Sequence, residues 1–164
     1  MKDINNTFIE KLHECKQHKM RLLSAKKHLE AYMPIDRDNY LLLNDVDMGF
    51  VDQMIFRFSK LQDTMGDKLF PSLLELMSED VKSKPFIDRL NRIEELGIVY
   101  KDEWLHLRKN RNEIAHEYSF NQDEVIASVN VIFDSSKKLI FIFDTFYNYC
   151  KERFEFVKNS EVLA

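Results

Sequence analysis

Apolar residues recur along most of this chain at steps of three, four or seven, the period of a helix with one buried face. In the first segment Phe8, Leu12, Cys15, Leu22, Leu29 and Met33 form such a stripe, and Pro34 predicts its end. Asp36, Asp38 and Asn39 are turn formers in the connector that follows. Asn44, Asp45 and Asp47 are N-cap candidates for a second helix. There Val51, Met54, Phe58, Leu61 and Met65 step by 3, 4, 3 and 4. Gly66 and Pro71 are placed to bend or break its continuation through Leu73 to Leu76. A polar connector leads to Ser83 and Pro85, which predict the start of a short helix carrying Phe86, Leu90, Ile93 and Leu96. Gly97 reads as its C-terminal stop.

Asp102 is the cap candidate of the next helix, which carries Trp104, Leu107, Arg108, Arg111 and Ala115. Asn121 to Glu124 has capping-box form. It opens the longest stripe: Ile126, Val129, Phe133, Ser136, Ile140, Phe143, Tyr147, Cys150 and Phe154. Val125, Ile132, Leu139 and Phe146 make a second stripe beside it. A helix apolar on two adjacent faces is either central in a bundle or shared with a second subunit. The pattern predicts an all-α protein, an antiparallel up-down helical bundle of four to five main helices, forming a single domain over residues 1–164.

Composition narrows the chemistry. Three glycines and three prolines in 164 residues argue against an all-β fold, and no Gly-rich phosphate loop can be written. Two cysteines, Cys15 and Cys150, both on apolar stripes, exclude a disulfide framework and read as buried thiols. No apolar run is long enough to span a membrane, and no secretory h-region is visible near the N-terminus. The expected location is therefore cytoplasmic, without a membrane partner. The net charge of −4 excludes a generally basic nucleic-acid binder, so any RNA contact must come from a local patch.

Lys11, Lys16, Lys19, Arg21, Lys26 and Lys27 make the first helix locally basic, which reads as a solvated face before an RNA groove. His13, Cys15 and His18 fit no standard metal spacing, and Asp45 and Asp47 read as caps before a cation site. No metal or cofactor is expected. The phenylalanines of the last long helix read as core or dimer interface first.

The informative segment runs from Trp104 to Tyr118, Trp-Leu-His-Leu-Arg-Lys-Asn-Arg-Asn-Glu-Ile-Ala-His-Glu-Tyr. Arg108 and Arg111 are three apart and share a helical face. Arg111 and His116 are five apart, which an ideal helix splays by about 140°. Both border one cleft only if the helix ends there or a two-fold axis brings in a second copy. An Arg with a His is a minimal phosphoester kit: Arg holds a phosphate and developing negative charge, and His moves a proton near neutral pH. RNA supplies its own nucleophile, the 2′-hydroxyl. The same two residues near a helix end also commonly just satisfy last-turn carbonyls.

Arg111-Asn-Glu-Ile-Ala-His116-Glu-Tyr118 has the form RX4HXY, with Asn112 directly after the arginine. In this it resembles the signature of the HEPN family (higher eukaryotes and prokaryotes nucleotide-binding domain), in its HepT-like toxin branch. Trp104 and Leu107-Arg108 before the motif, Arg57-Phe-Ser-Lys-Leu-Gln-Asp63 in the second helix and the long helix after the motif resemble that branch too. The likeness spans most of the chain. It implies a two-fold homodimer with the motifs facing across a cleft, acting as a metal-independent endoribonuclease toxin on RNA, tRNA among the substrates. It implies as partner an MNT-type nucleotidyltransferase antitoxin that transfers AMP from ATP to the motif tyrosine. On this sequence Arg111 would bind the scissile phosphate, His116 would act as general base or acid, Asn112 would position the phosphate or the motif backbone, and Tyr118 would accept AMP. Arg108 and Lys109, beside the motif, are RNA-contact candidates. Arg57, Lys60 and Asp63 are placed to frame the cleft; the alternative for Asp63 is a plain i,i+3 pair with Lys60. The alternatives are a non-catalytic substrate-binding or scaffold subunit of a two-component nucleotidyltransferase, and a plain structural bundle.

Overall fold

The long apolar stripes fold as helices that cover one another. The computed structural model describes residues 3–114 and 121–164. Its elements are α1 (Ile4–Leu29), a single 3₁₀ turn (Glu30–Tyr32), α2 (Arg37–Tyr40), α3 (Asp45–Thr64), a π-helical turn (Met65–Leu69), α4 (Phe70–Leu76), α5 (Phe86–Glu95), α6 (Lys101–Glu113), α7 (Gln122–Arg153) and α8 (Glu155–Lys158). The described residues are all-α, and no strand occurs among them.

Side-chain ties fix the directions of the four main helices. α1 and α3 run antiparallel, because His28 meets Asp47 at 2.8 Å and His18 meets Arg57 at 2.9 Å. α6 runs back along α3, with Arg111 at Asp63 and Trp104 at Gly66. α7 returns along α6, where Asn110 donates to Ser135 at 2.9 Å and Lys138 meets Glu103 at 3.1 Å. It also runs antiparallel to α1, where Lys19 meets Asp144 at 2.5 Å and Lys26 lies 4.7 Å from the Phe133 ring centroid. The result is an up-down-up-down bundle.

The core is where the four helices and α4 meet. Phe8 (α1), Phe146 (α7), Phe70 (α4) and Trp104 (α6) form a continuous aromatic chain, with centroid separations of 6.3, 5.7 and 4.7 Å. The stripe of Val51, Met54, Phe58 and Leu61 in α3, continued by Met65 in the π turn, is buried throughout. In α7, the two stripes are covered largely by the chain itself: Ile132, Leu139 and Phe146 are buried, as are Val129, Ser136, Phe143 and Cys150. α7 is thus a central helix, and Phe141, off both stripes, is the phenylalanine it leaves most exposed. Cys15 and Cys150 are buried free thiols, and burial pushes both thiols up.

Several boundaries differ from the sequence pattern. α1 ends at Leu29, and Met33 lies beyond the 3₁₀ turn rather than on the helix. Asn44, not Asp45, caps α3, and Asp47 completes a capping box with it. Tyr100 is the N-cap residue of α6, so Asp102 falls in the first turn and complements the helix dipole instead. Pro85 occupies the N-cap of α5, while Ser83 donates its hydroxyl to Asp80. Gly97 ends the segment after α5 as expected, with φ of 78°. The basic face of α1 is used internally more than expected: Lys16 donates to the Leu163 carbonyl at 2.7 Å, and Lys19 and Lys26 tie α1 to α7.

Gly66 is the position where α3 leaves ideal geometry. A Cβ there would sit 3.1 Å from the Trp104 ring, and Trp104 is itself locked against Phe70. Alanine normally gains about 1 kcal/mol over glycine inside a helix. Here the indole is packed against Phe70, so Gly66→Ala is expected to lower the unfolding free energy by about 1–2 kcal/mol through overpacking. Chemical denaturation of the variant checks it, and a stabilised variant contradicts it.

Asp47 accepts from His28, the Asn44 backbone and Tyr32, and these bonds, His28's first, hold its carboxyl below the ordinary aspartate range. A carboxyl depressed on folding contributes stability that is complete above its ordinary value of 3.8 and is lost as pH falls through the lower folded value. Thermal unfolding followed from pH 6 downward is expected to show a Tm advantage of wild type over Asp47→Asn that narrows below about pH 4. Parallel pH profiles contradict it.

Candidate functional site

α6 carries Trp104, Arg108, Arg111 and Asn112 at steps that place them along one side, facing the end of α3 and the π turn. Arg111 reaches across to the last turn of α3. Its Nε donates to Asp63 Oδ1 at 3.0 Å and its Nη2 to Asp63 Oδ2 at 3.0 Å, a bidentate pair. Hydrogen bonding to Asp63 raises the guanidinium above its ordinary value, and the nearby Asp67 charge adds to this. A guanidinium carries five N–H donors in a planar fork. Asp63 engages one edge, so the donors of the opposite edge lie outside the pair.

The pair borders a cavity of about 300 Å³. α3 and the π turn contribute Gln62, Asp63, Gly66 and Asp67 to its walls. α5 contributes Phe86, and α6 contributes Trp104, Arg108, Arg111 and Asn112. Arg108 lies over Phe86, its guanidinium carbon 4.6 Å from the ring centroid, which holds a long cationic side chain at the wall. Gln62 is only 2% exposed, and neither its Oε1 nor its Nε2 has a hydrogen-bond partner among the described residues. An unpaired buried amide typically costs about 1–3 kcal/mol.

The sequence-predicted residues divide. Arg108, Arg111 and Asn112 come together at one cavity. Lys109 faces outward and meets Glu113 at 3.9 Å, outside that cavity's lining. His116 and Tyr118 lie outside the described residues. Of the three residues expected to frame the cleft, Asp63 lines this cavity, and its ion-pair partner is Arg111 rather than Lys60. Arg57 and Lys60 do not line the cavity: both lie over Phe56, and Arg57 also bonds His18. His18 is buried, and desolvation, then the Arg57 charge, pushes its pKa down. Arg57 has only donors, so the His18 Nδ1 accepts and the ring proton sits on Nε2. Among the described residues no group of three His, Cys, Asp or Glu side chains is close enough to hold a metal ion.

Gln62, Gly66, Asp67 and Phe86 are site residues that sequence patterning did not single out as such. Only the Gln62-Asp63 dipeptide lay inside a segment already marked. A larger groove of about 700 Å³ runs between the α5–α6 connector and α7, beside the exposed Tyr100 and Phe141. None of the described residues of the RX4HXY segment lines it, so size alone does not mark the chemical site. No helix among the described residues is long and apolar enough to cross a membrane. No family model, curated protein or solved structure matches the chain.

The described half of the arrangement is suited to binding an anion at a fixed point. Arg111 is held from behind by a carboxylate, so its other edge is directed without the entropy of a loose side chain. Arg108 adds a second cation within the same cavity.

Proposed function

We propose that the chain is a HEPN-type endoribonuclease toxin of a toxin–antitoxin pair. The observation that carries this reading is Arg111, the first residue of RX4HXY, clamped by Asp63 at the edge of a polar cavity in an all-α bundle. Arg111 binds the scissile phosphate and stabilises charge as the transition state develops. His116 removes the proton from the 2′-hydroxyl, or delivers one to the leaving 5′-oxygen. The 2′-oxygen attacks phosphorus, the bond to the 5′-oxygen breaks, and the products are a cyclic phosphate and a 5′-hydroxyl end. Neither step requires a metal or a cofactor. Asn112 positions the phosphate, and Arg108 and Lys109 supply backbone contacts.

The proposal includes a homodimer in which two motif copies face one cleft. It also includes an MNT-type nucleotidyltransferase antitoxin that places AMP on Tyr118. The added phosphodiester charge and bulk at the mouth of an anion-binding cleft oppose RNA entry.

The test is incubation of the purified full chain with total cellular RNA in EDTA, beside Arg111→Ala and His116→Ala, with intact mass confirming that the protein is unmodified. Cleavage by wild type and a loss of at least about a hundredfold in each variant are expected, the usual scale for removing a proton-transfer group or a charge stabiliser. An unmodified wild type that leaves RNA intact contradicts the proposal and favours the non-catalytic subunit of a nucleotidyltransferase pair.

A further inference from the structure

The cavity beside Arg111 has features that holding a phosphate does not call for. A phosphodiester offers only acceptors and is held by donors, yet two carboxylates, Asp63 and Asp67, share these walls with the arginines. Asp63 is engaged by Arg111. Asp67 sits on the π turn, exposed and outside that pair, where it presents two acceptors side by side. Single π turns inside α-helices recur at functional sites. A second, independent feature is Gln62, 2% exposed with both amide atoms unpaired among the described residues. Buried amides are ordinarily paired, and this one, at the cavity wall, keeps a donor and an acceptor to offer. The third is Arg108 seated over the Phe86 ring, a cation and an aromatic of the kinds on which nucleobases stack.

Resting on the ribonuclease reading, we infer that this cavity is a base subsite that selects guanine beside the scissile phosphate. Guanine's Watson–Crick edge carries an acceptor, O6, followed by two adjacent donors, N1–H and N2–H. No other RNA base has two adjacent donors on that edge. The Asp67 carboxylate accepts from both, and an amide NH₂ from Gln62 or Asn112 donates to O6. Adenine and cytosine turn a ring acceptor toward the carboxylate. Uracil offers it one donor between two acceptors. The volume of about 300 Å³ is at the small end of ligand sites and suits one base rather than a pair. Arg111, at the edge of the same cavity, is placed for the phosphate attached to that nucleotide.

Trp104 is the only tryptophan in the chain and lines the cavity, so its indole N–H is a single reporter resonance in a ¹⁵N-correlated spectrum. The experiment titrates the full chain with GMP, AMP, CMP and UMP in turn. GMP is expected to shift that resonance and to bind at least about tenfold more tightly than the other three, the discrimination of one bidentate base contact. Asp67→Asn is expected to remove the preference while its circular dichroism stays that of wild type. Equal binding of all four nucleotides, no shift with any of them, or a GMP preference that survives Asp67→Asn overturns the subsite. The underlying reading fails separately. RNA cleavage without GMP binding removes the subsite and leaves the nuclease, whereas selective GMP binding without cleavage supports the subsite and removes the nuclease.

Discussion

The close approach of Trp104 to Gly66 is the constraint on which the site depends. A glycine lets the indole settle 3.1 Å from where a Cβ would stand, a closer approach than most side chains accept. That contact sets how near α6 lies to the end of α3. It coincides with the π turn, Met65–Leu69, which breaks the regular α-helical register between α3 and α4. Two turns further along α6, Arg111 is then within bidentate reach of Asp63. The aromatic chain from Phe8 through Phe146 and Phe70 to Trp104 anchors the other side of the indole. Packing in the core therefore decides the position of a charged group at its edge, and a loss of about one methyl group's worth of fit is felt there.

Charge is distributed with the same economy. A net charge of −4 leaves the chain without an overall basic excess. The lysines of α1 that look like such a surface are partly internal ties, Lys16 to the C-terminal segment and Lys19 and Lys26 to α7. What remains beside the motif is compact: Arg108 steadied by Phe86, and Arg111 steadied by Asp63. Both cations are held by a partner that fixes direction rather than left on long mobile stems. Asp63 is thus part of how Arg111 is aimed.

The helices were legible in the sequence because burial on one face imposes a period of 3.6 that survives without knowledge of the partner. The double stripe of α7 even announced a helix covered on two sides, although not by what. The helix ends were less legible. Tyr100 rather than Asp102 begins α6, and a local preference for acidic caps could not show that Glu94, a residue of α5, accepts from the Lys101 backbone at 2.5 Å. The cavity was illegible for the same reason. It joins Gln62 to Asp67 with Phe86 and with residues 104–112, and that meeting exists only after packing. Asp63 had two readings, an i,i+3 partner of Lys60 or a wall of the cleft, and only the crossing of α6 over α3 separates them. The RX4HXY motif was visible as a string of residue types, whereas the orientation of its first arginine required the fold.

We propose that Asp63 acts through Arg111, aiming a guanidinium that stabilises charge during RNA cleavage. A double-mutant cycle read by cleavage rate in EDTA tests it most directly, using Asp63→Asn, Arg111→Ala and the combined variant. Asp63→Asn is expected to lower the rate by at least about tenfold, and the combined variant to be no slower than Arg111→Ala alone, because residues acting as one unit are not additive. Additive losses, or an Asp63→Asn enzyme as fast as wild type, would contradict the account.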